Sequence, residues 1–235
     1  MKFKIDPKIF EKFEGFNLGL IIAKGINNKG IARDVQSKIK EQEKEIKAKY
    51  NLETIAQVPK IDAWKKAYAV FGGEPKKNRS SIENLYKLVL NGIELRQINK
   101  LVDCYNFISL KYTLPAGGED IDKMKGDIVL TFAGASEAPV LLLGEKEAHP
   151  PRNGEVIYKD DISAICRRWN WREADRTKLT GETKNCVLVI EGLPPVTRKD
   201  VEAAIKELKD MIQKHCGGKI EYVLLDKSKF EVELK

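Results

Sequence analysis

The sequence predicts an α+β fold on three observations. Helical spacing of apolar residues dominates roughly the first 110 positions, and short β segments divided by Gly, Pro and Asp run from about 127 to 191. A further helix and two strands close the chain. With 235 residues, 42% hydrophobic and 33% charged, the chain can bury a substantial core and does not have the composition of a disordered one.

The elements follow in order. Residues 16–26, FNLGLIIAKGI, are apolar with glycine breaks and predict a buried strand; residues 32–50 predict a charge-laden helix with Val35, Ile39, Ile46 and Tyr50 inward. Ile61, Trp64, Tyr68 and Phe71 recur at helical spacing, which predicts a helix over 60–71 ended by Gly72 and Gly73, with Trp64 in the core. Ser80 and Glu83 match a capping box and start a helix to about Val89. Lys76, Lys77 and Arg79 precede its N-terminus, either as a phosphate-receiving cluster or as a plain loop. QINKLVDCYNFISL, 97–110, predicts another helix, on which Asp103 and Asn106 share a face as satisfied core polars or as groups facing a cavity. Strands are expected over 127–132, 139–143, 155–158, 163–166 and 186–191, then a helix over 199–214 and strands over 219–225 and 230–234.

Net charge +7 favours a polyanionic partner without demanding one. Cys104, Cys166, Cys186 and Cys216 form no CxxC pair and are joined only by His149 and His215, so no metal site is expected. No apolar run is long enough to span a bilayer and no signal peptide opens the chain, which reads as cytosolic with reduced thiols. Walker, GxGxxG, HExxH and GxSxG motifs are absent, which removes the commonest nucleotide, protease and lipase readings.

The run INKLVDCYNFISLKYTLPAGGEDIDKMKGDIVL, with GEVIYKDD, RRWNWREADRTKLTGETKN and VLVIEGLPPV after it, resembles the B3/B4 domain of the phenylalanyl-tRNA synthetase β subunit, most closely its free-standing versions. The core of the match is about 80–196, within a B3/B4-like domain of 60–235; residues 1–59 would add a strand and a helix packed on it. Val102, Asp103 and Asn106, then Asp120 to Ile128, Asp160 and Asp161, and Thr183 to Glu191 stand in the family's motif positions, in order. The resemblance implies a central, mostly antiparallel sheet flanked by helices around a pocket. It also implies hydrolysis of the ester of mischarged tRNA, bound by its acceptor end, with no cofactor. That ester is already activated, so a site need only hold the carbonyl and align a water.

Carried over residue by residue, the resemblance gives Asn106 and the backbone of Gly117 and Gly118 the task of orienting water or carbonyl, and Glu191 that of reading the amino acid. Tyr105, Trp169 and Asn170 would wall the substrate pocket, and Arg167, Arg168, Trp171, Arg172 and Arg176 would meet the tRNA by stacking and charge. Tyr105 replaces a threonine of the family pattern, LPAGG replaces a turn containing histidine, and Arg168-Trp169 replaces a small Ala-Gly stretch. A reshaped cavity and a different amino acid are therefore expected. The residues themselves leave other readings open. Packing alone would account for the tryptophans, a turn for Asp160 and Asp161, and an ion pair for Asp175 with Arg176; Glu191 needs a partner or a proton wherever it is buried. A binding module of the same fold without hydrolysis is the alternative function.

Overall fold

The computed structural model describes residues 1–74 and 77–234. In chain order the elements are β1 (Lys2–Ile5), α1 (Pro7–Lys12), β2 (Asn17–Lys24), α2 (Arg33–Lys49), α3 (Pro59–Val70), α4 (Ser81–Leu90), α5 (Lys100–Tyr112), β3 (Ala116–Asp120) and β4 (Ile128–Phe132). They continue with β5 (Val156–Lys159), β6 (Ala164–Arg167), β7 (Arg172–Glu173), β8 (Cys186–Gly192), α6 (Arg198–Cys216), β9 (Lys219–Leu225) and β10 (Glu231–Glu233). The α+β class holds, and the strands divide into two sheets instead of one: β10-β1-β4-β5-β6-β7 and β3-β8-β2-β9. All neighbours pair antiparallel except β1 and β4.

Local chemistry explains the helices. The Ser80 hydroxyl accepts from the Glu83 amide at the start of α4, and Thr197 with Asp200 forms a complete capping box on α6. Helix α6 buries Val201, Ala204, Ile205, Leu208 and Ile212 at helical spacing and lays that face on the smaller sheet. Gly19 of β2 allows the close approach, since a Cβ there would stand 3.0 Å from Ile205. Strand β8 lies between β3 and β2 and is buried along nearly its whole length, which accounts for its unbroken apolar run.

Three expectations change. Residues 139–143 form no strand; Val140 and Leu142 make single bridges to His149 and Ala174, and their side chains cover a small cluster with Ile157 and Ala164. LPAGG is not a turn. The helix ends on Thr113 in the left-handed conformation, and Ala116 to Gly118 already belong to β3. Residues 1–59 hold two strands, not one, and both are interior members of the sheets. Strand β1 was hidden by its two lysines, although its burial alternates as a strand requires.

Candidate functional site

A cavity of about 330 Å³ is walled by β3 and β8 of the smaller sheet, β5 to β7 of the larger, and α4 and α5. On β8, alternation sends Val187, Val189 and Glu191 to the cavity face, and the paired face of β3 adds Gly117 and Glu119.

Glu191 is 1% exposed and its carboxylate accepts three hydrogen bonds. Tyr158 Oη and Trp169 Nε1 (2.7 Å) donate to Oε1, and Asn170 Nδ2 donates to Oε2 at 2.7 Å. Burial pushes this carboxyl up to about 7 although all three donors favour its charged form. Because the folded value lies above the ordinary 4.5, the native protein holds more protons than the unfolded chain between those values. Stability should therefore fall as pH rises through that window. Denaturant melts from pH 5 to 8 are expected to show about 2 kcal/mol less loss of stability in Glu191→Gln than in the wild type, the remaining loss belonging to other buried carboxyls; an unchanged slope in the variant refutes the assignment.

Residues 168–171 are the loop of the β6–β7 hairpin, in which Cys166 pairs with Glu173 and Arg167 with Arg172. Arg168 and Trp169 both adopt positive φ, 47° and 65°, a conformation natural to glycine. The loop throws Trp169 inward. Fully buried, it meets Phe13, Phe16 and Trp64 edge-on at centroid distances of 4.7, 5.0 and 5.0 Å while its Nε1 holds Glu191. Arg168, Trp171 and Arg172 beside it are half-buried. The Arg168 and Arg172 guanidinium groups lie 4.2 and 4.7 Å from the centre of the Trp171 ring, and Arg172 also pairs with Glu145. Asn170 links the two layers by accepting from Tyr68 Oη at 3.0 Å.

Tyr105 and Asn106 of α5 both reach the cavity. Asp103, on the same helix, does not; its Oδ1 accepts from the Ile98 amide and caps the loop before α5. Gly117 and Gly118 line the cavity as strand residues. The Gly118 amide points away from β8 to Glu173 Oε1 at 3.4 Å, so alternation turns the Gly117 amide into the ladder. Neither glycine therefore offers a free amide to a substrate. By the same alternation, Ala116 presents its amide on the side of Gly118.

Two arginines of the expected tRNA surface are bonded to carboxylates of the chain itself. Arg167 is 5% exposed and forms a bidentate pair with Glu155 at 2.8 and 2.9 Å, so its guanidinium is spent inside the fold. Arg176 does not pair with Asp175. It grips both oxygens of Asp160, whose carboxylate also accepts the amides of Lys125, Ile162 and Ser163, as the turn reading requires. Asp175 pairs with Lys178 instead. In the loop before α4, Lys77 pairs with Glu74 and Arg79 approaches Glu83 at 3.9 Å, while Lys76 lies outside the described residues. The Asp120 and Asp122 carboxylates bind Thr183 and Asn185, tying the end of β3 to the start of β8.

Tyr158, Glu119 and Glu173 were missed by sequence reasoning. Tyr158 is the first residue before the DD turn but one, and Glu119 precedes the Asp120 motif, yet neither type nor spacing announced the cavity. All four cysteines are buried and free, and among the described residues no group of His, Cys, Asp and Glu is placed to hold a metal. No helix among them is long and apolar enough to cross a membrane.

Comparison with known proteins adds the family. The chain is 29% identical over 106 residues to the phenylalanine–tRNA ligase beta subunit of Fusobacterium nucleatum, covering 45% of this chain and 13% of that protein. It is 28% identical over 93 residues to the corresponding subunit of Bordetella pertussis, covering 40% and 11%. It thus spans a small fraction of those relatives' length. The crystal structure of an N-terminal fragment of the phenylalanyl-tRNA synthetase beta subunit from Pyrococcus horikoshii aligns with 95% of this chain and 54% of that one, with TM-score 0.49 and 13% identity. A family model described as the B3/4 domain matches residues 63–217, and on that match the chain belongs to the B3/4 domain family.

Proposed function

We propose that this chain is an aminoacyl-tRNA editing domain that hydrolyses the ester of a mischarged tRNA. The observation that carries the reading is Glu191, a buried carboxylate on the wall of the cavity, held by Tyr158, Trp169 and Asn170. Such an anchored group reads a polar substrate atom by geometry, since a ligand lacking that atom leaves the site's own polar groups unmatched. In the reaction the oxygen of a water adds to the acyl carbon, the ribose oxygen leaves with a proton, and free amino acid and tRNA result. Asn106 reaches the same cavity and orients the water or the carbonyl. Trp171 lines the cavity with the Arg168 and Arg172 guanidinium groups against its ring, and this group offers aromatic surface and positive charge to the terminal adenosine. The relatives are named as subunits of a tRNA ligase, which agrees with a tRNA partner.

The purified chain is expected to release amino acid from at least one member of a full panel of misacylated tRNAs. Release from none, together with unchanged binding in Glu191→Ala, overturns the reading. Arg172→Ala is expected to change stability by no more than about 1 kcal/mol, because its ion pair is partly exposed. It should nonetheless weaken tRNA binding and lower the salt slope by about 1. A filter-binding titration across salt checks this; an unaltered slope removes Arg172 from the interface.

A binding module without hydrolysis is the second reading. It is favoured by the saturation of Glu191, whose two oxygens already have donors from the chain itself. Salt-dependent tRNA binding with no turnover on the panel would select it.

A further inference from the structure

Glu191 is not the only carboxylate in the cavity. On β3, Glu119 shares the cavity face with Gly117 and pairs in register with Val187, four residues along β8 from Glu191. The rise of a strand puts the two backbone positions about 13 Å apart. Glu173, from the opposing β7, reaches the same end of the cavity. Its Oε1 accepts from the Gly118 amide at 3.4 Å, and a Cβ at position 117 would stand 3.0 Å from it. The bare strand at Gly117 therefore makes room for Glu173 beside Glu119.

Among the described residues no ion pair neutralises Glu119 or Glu173, and the Arg176 charge acts on Glu119 without bonding to it. Glu119 is 7% exposed and its Oε2 has no hydrogen-bond partner. The cations that follow Trp171 in the chain are committed elsewhere, Arg172 to Glu145, Arg176 to Asp160 and Lys178 to Asp175. Burial and the neighbouring Glu173 hold the Glu119 carboxyl well above the usual range, and burial lifts Glu173 to about 7. Two carboxyls at the end of a cavity, one with an orphaned oxygen, are matched by a cation with several N–H donors. The open volume, about 330 Å³, admits an organic ammonium and not merely an ion.

We propose that Glu119 and Glu173 form an ammonium subsite that takes the free α-amino group of the aminoacyl moiety, at the opposite end of the cavity from Glu191. This rests on the editing reading for the identity of the ligand, while the cation preference of the pair rests on the geometry alone. The site then grips an aminoacyl group at two poles and rejects N-acylated esters, whose nitrogen carries no charge and is bulkier.

The test uses the full chain with 3′-aminoacylamino-3′-deoxyadenosines, non-hydrolysable mimics of the aminoacyl end, and their N-acetyl counterparts, measured by calorimetry. N-acetylation is expected to weaken binding at least tenfold. Glu119→Gln and Glu173→Gln should each bring that ratio towards one, in variants whose thermal melts show a cooperative fold. Equal binding of free and acetylated compounds, full discrimination in both variants, or no binding by any compound overturns the proposal. Deacylation separates the two readings. Amine discrimination without turnover on any misacylated tRNA leaves the subsite standing and removes the editing reading; equal hydrolysis of aminoacyl- and N-acetylaminoacyl-tRNA does the reverse.

Discussion

Glu191→Ala is expected to lower the unfolding free energy by about 3–5 kcal/mol at pH 5, where titration of the carboxyl contributes little. The substitution removes the acceptor of three buried donors at once: Tyr158 Oη, Trp169 Nε1 and Asn170 Nδ2. Each donor left without a partner in the interior costs about 1–3 kcal/mol, and the three lie too close together for their losses simply to add. Glu191→Gln keeps an oxygen for Tyr158 and Trp169 but sets its own amide against that of Asn170, so about 1–2 kcal/mol is expected. Urea titration of both variants checks the order. If Glu191→Ala melts like the wild type, the three hydrogen bonds do not hold the site together.

Trp169→Ala should be as severe, about 3–5 kcal/mol, by emptying the centre of the aromatic cluster of Phe13, Phe16 and Trp64. Trp169→Gly provides the diagnostic comparison. It removes one carbon more, yet position 169 has φ of 65°, where any residue with a Cβ carries about 1 kcal/mol of strain that glycine does not. Trp169→Gly is therefore expected to be no less stable than Trp169→Ala, and guanidinium unfolding of the pair decides it. On the editing reading both variants also shift the preferred aminoacyl group on the tRNA panel towards larger side chains, since the indole edge borders the cavity. A glycine variant clearly weaker than the alanine variant would show that the loop conformation belongs to the tryptophan rather than to the hairpin.

The segment Cys166 to Thr180 shows how far composition leads. Its rings and arginines suggest a stacking surface, and the structure sets the guanidinium groups of Arg168 and Arg172 against the Trp171 ring. The same composition groups Arg167 and Arg176 with them, but Arg167 is buried on Glu155 and Arg176, partly exposed, grips Asp160. Nothing in the residue types distinguishes an arginine that faces water from one that faces Glu155, because alternation in the hairpin sets the direction and the partner lies just before β5, outside the hairpin. Tyr158 escaped notice for the same reason, since a tyrosine in an apolar strand is ordinary until its hydroxyl is seen on Glu191.

The sequence by itself determined the elements whose signals are local. Helical spacing and caps placed α3, α4, α5 and α6 to within a few residues, and the apolar run of β8 with its final glutamate marked a central strand. Its ordered motifs also carried the family. Only the tertiary structure decided how those pieces meet: β1 inserted between β10 and β4, Leu18 set beside Glu191, and Glu173 of one sheet brought against Gly117 and Gly118 of the other. Periodicity reports whether a face is buried, because burial selects residue type at each position. It does not report what covers that face, because pairing joins segments far apart in the chain, and the free energy of closing such contacts is shared among many residues rather than written in any one of them.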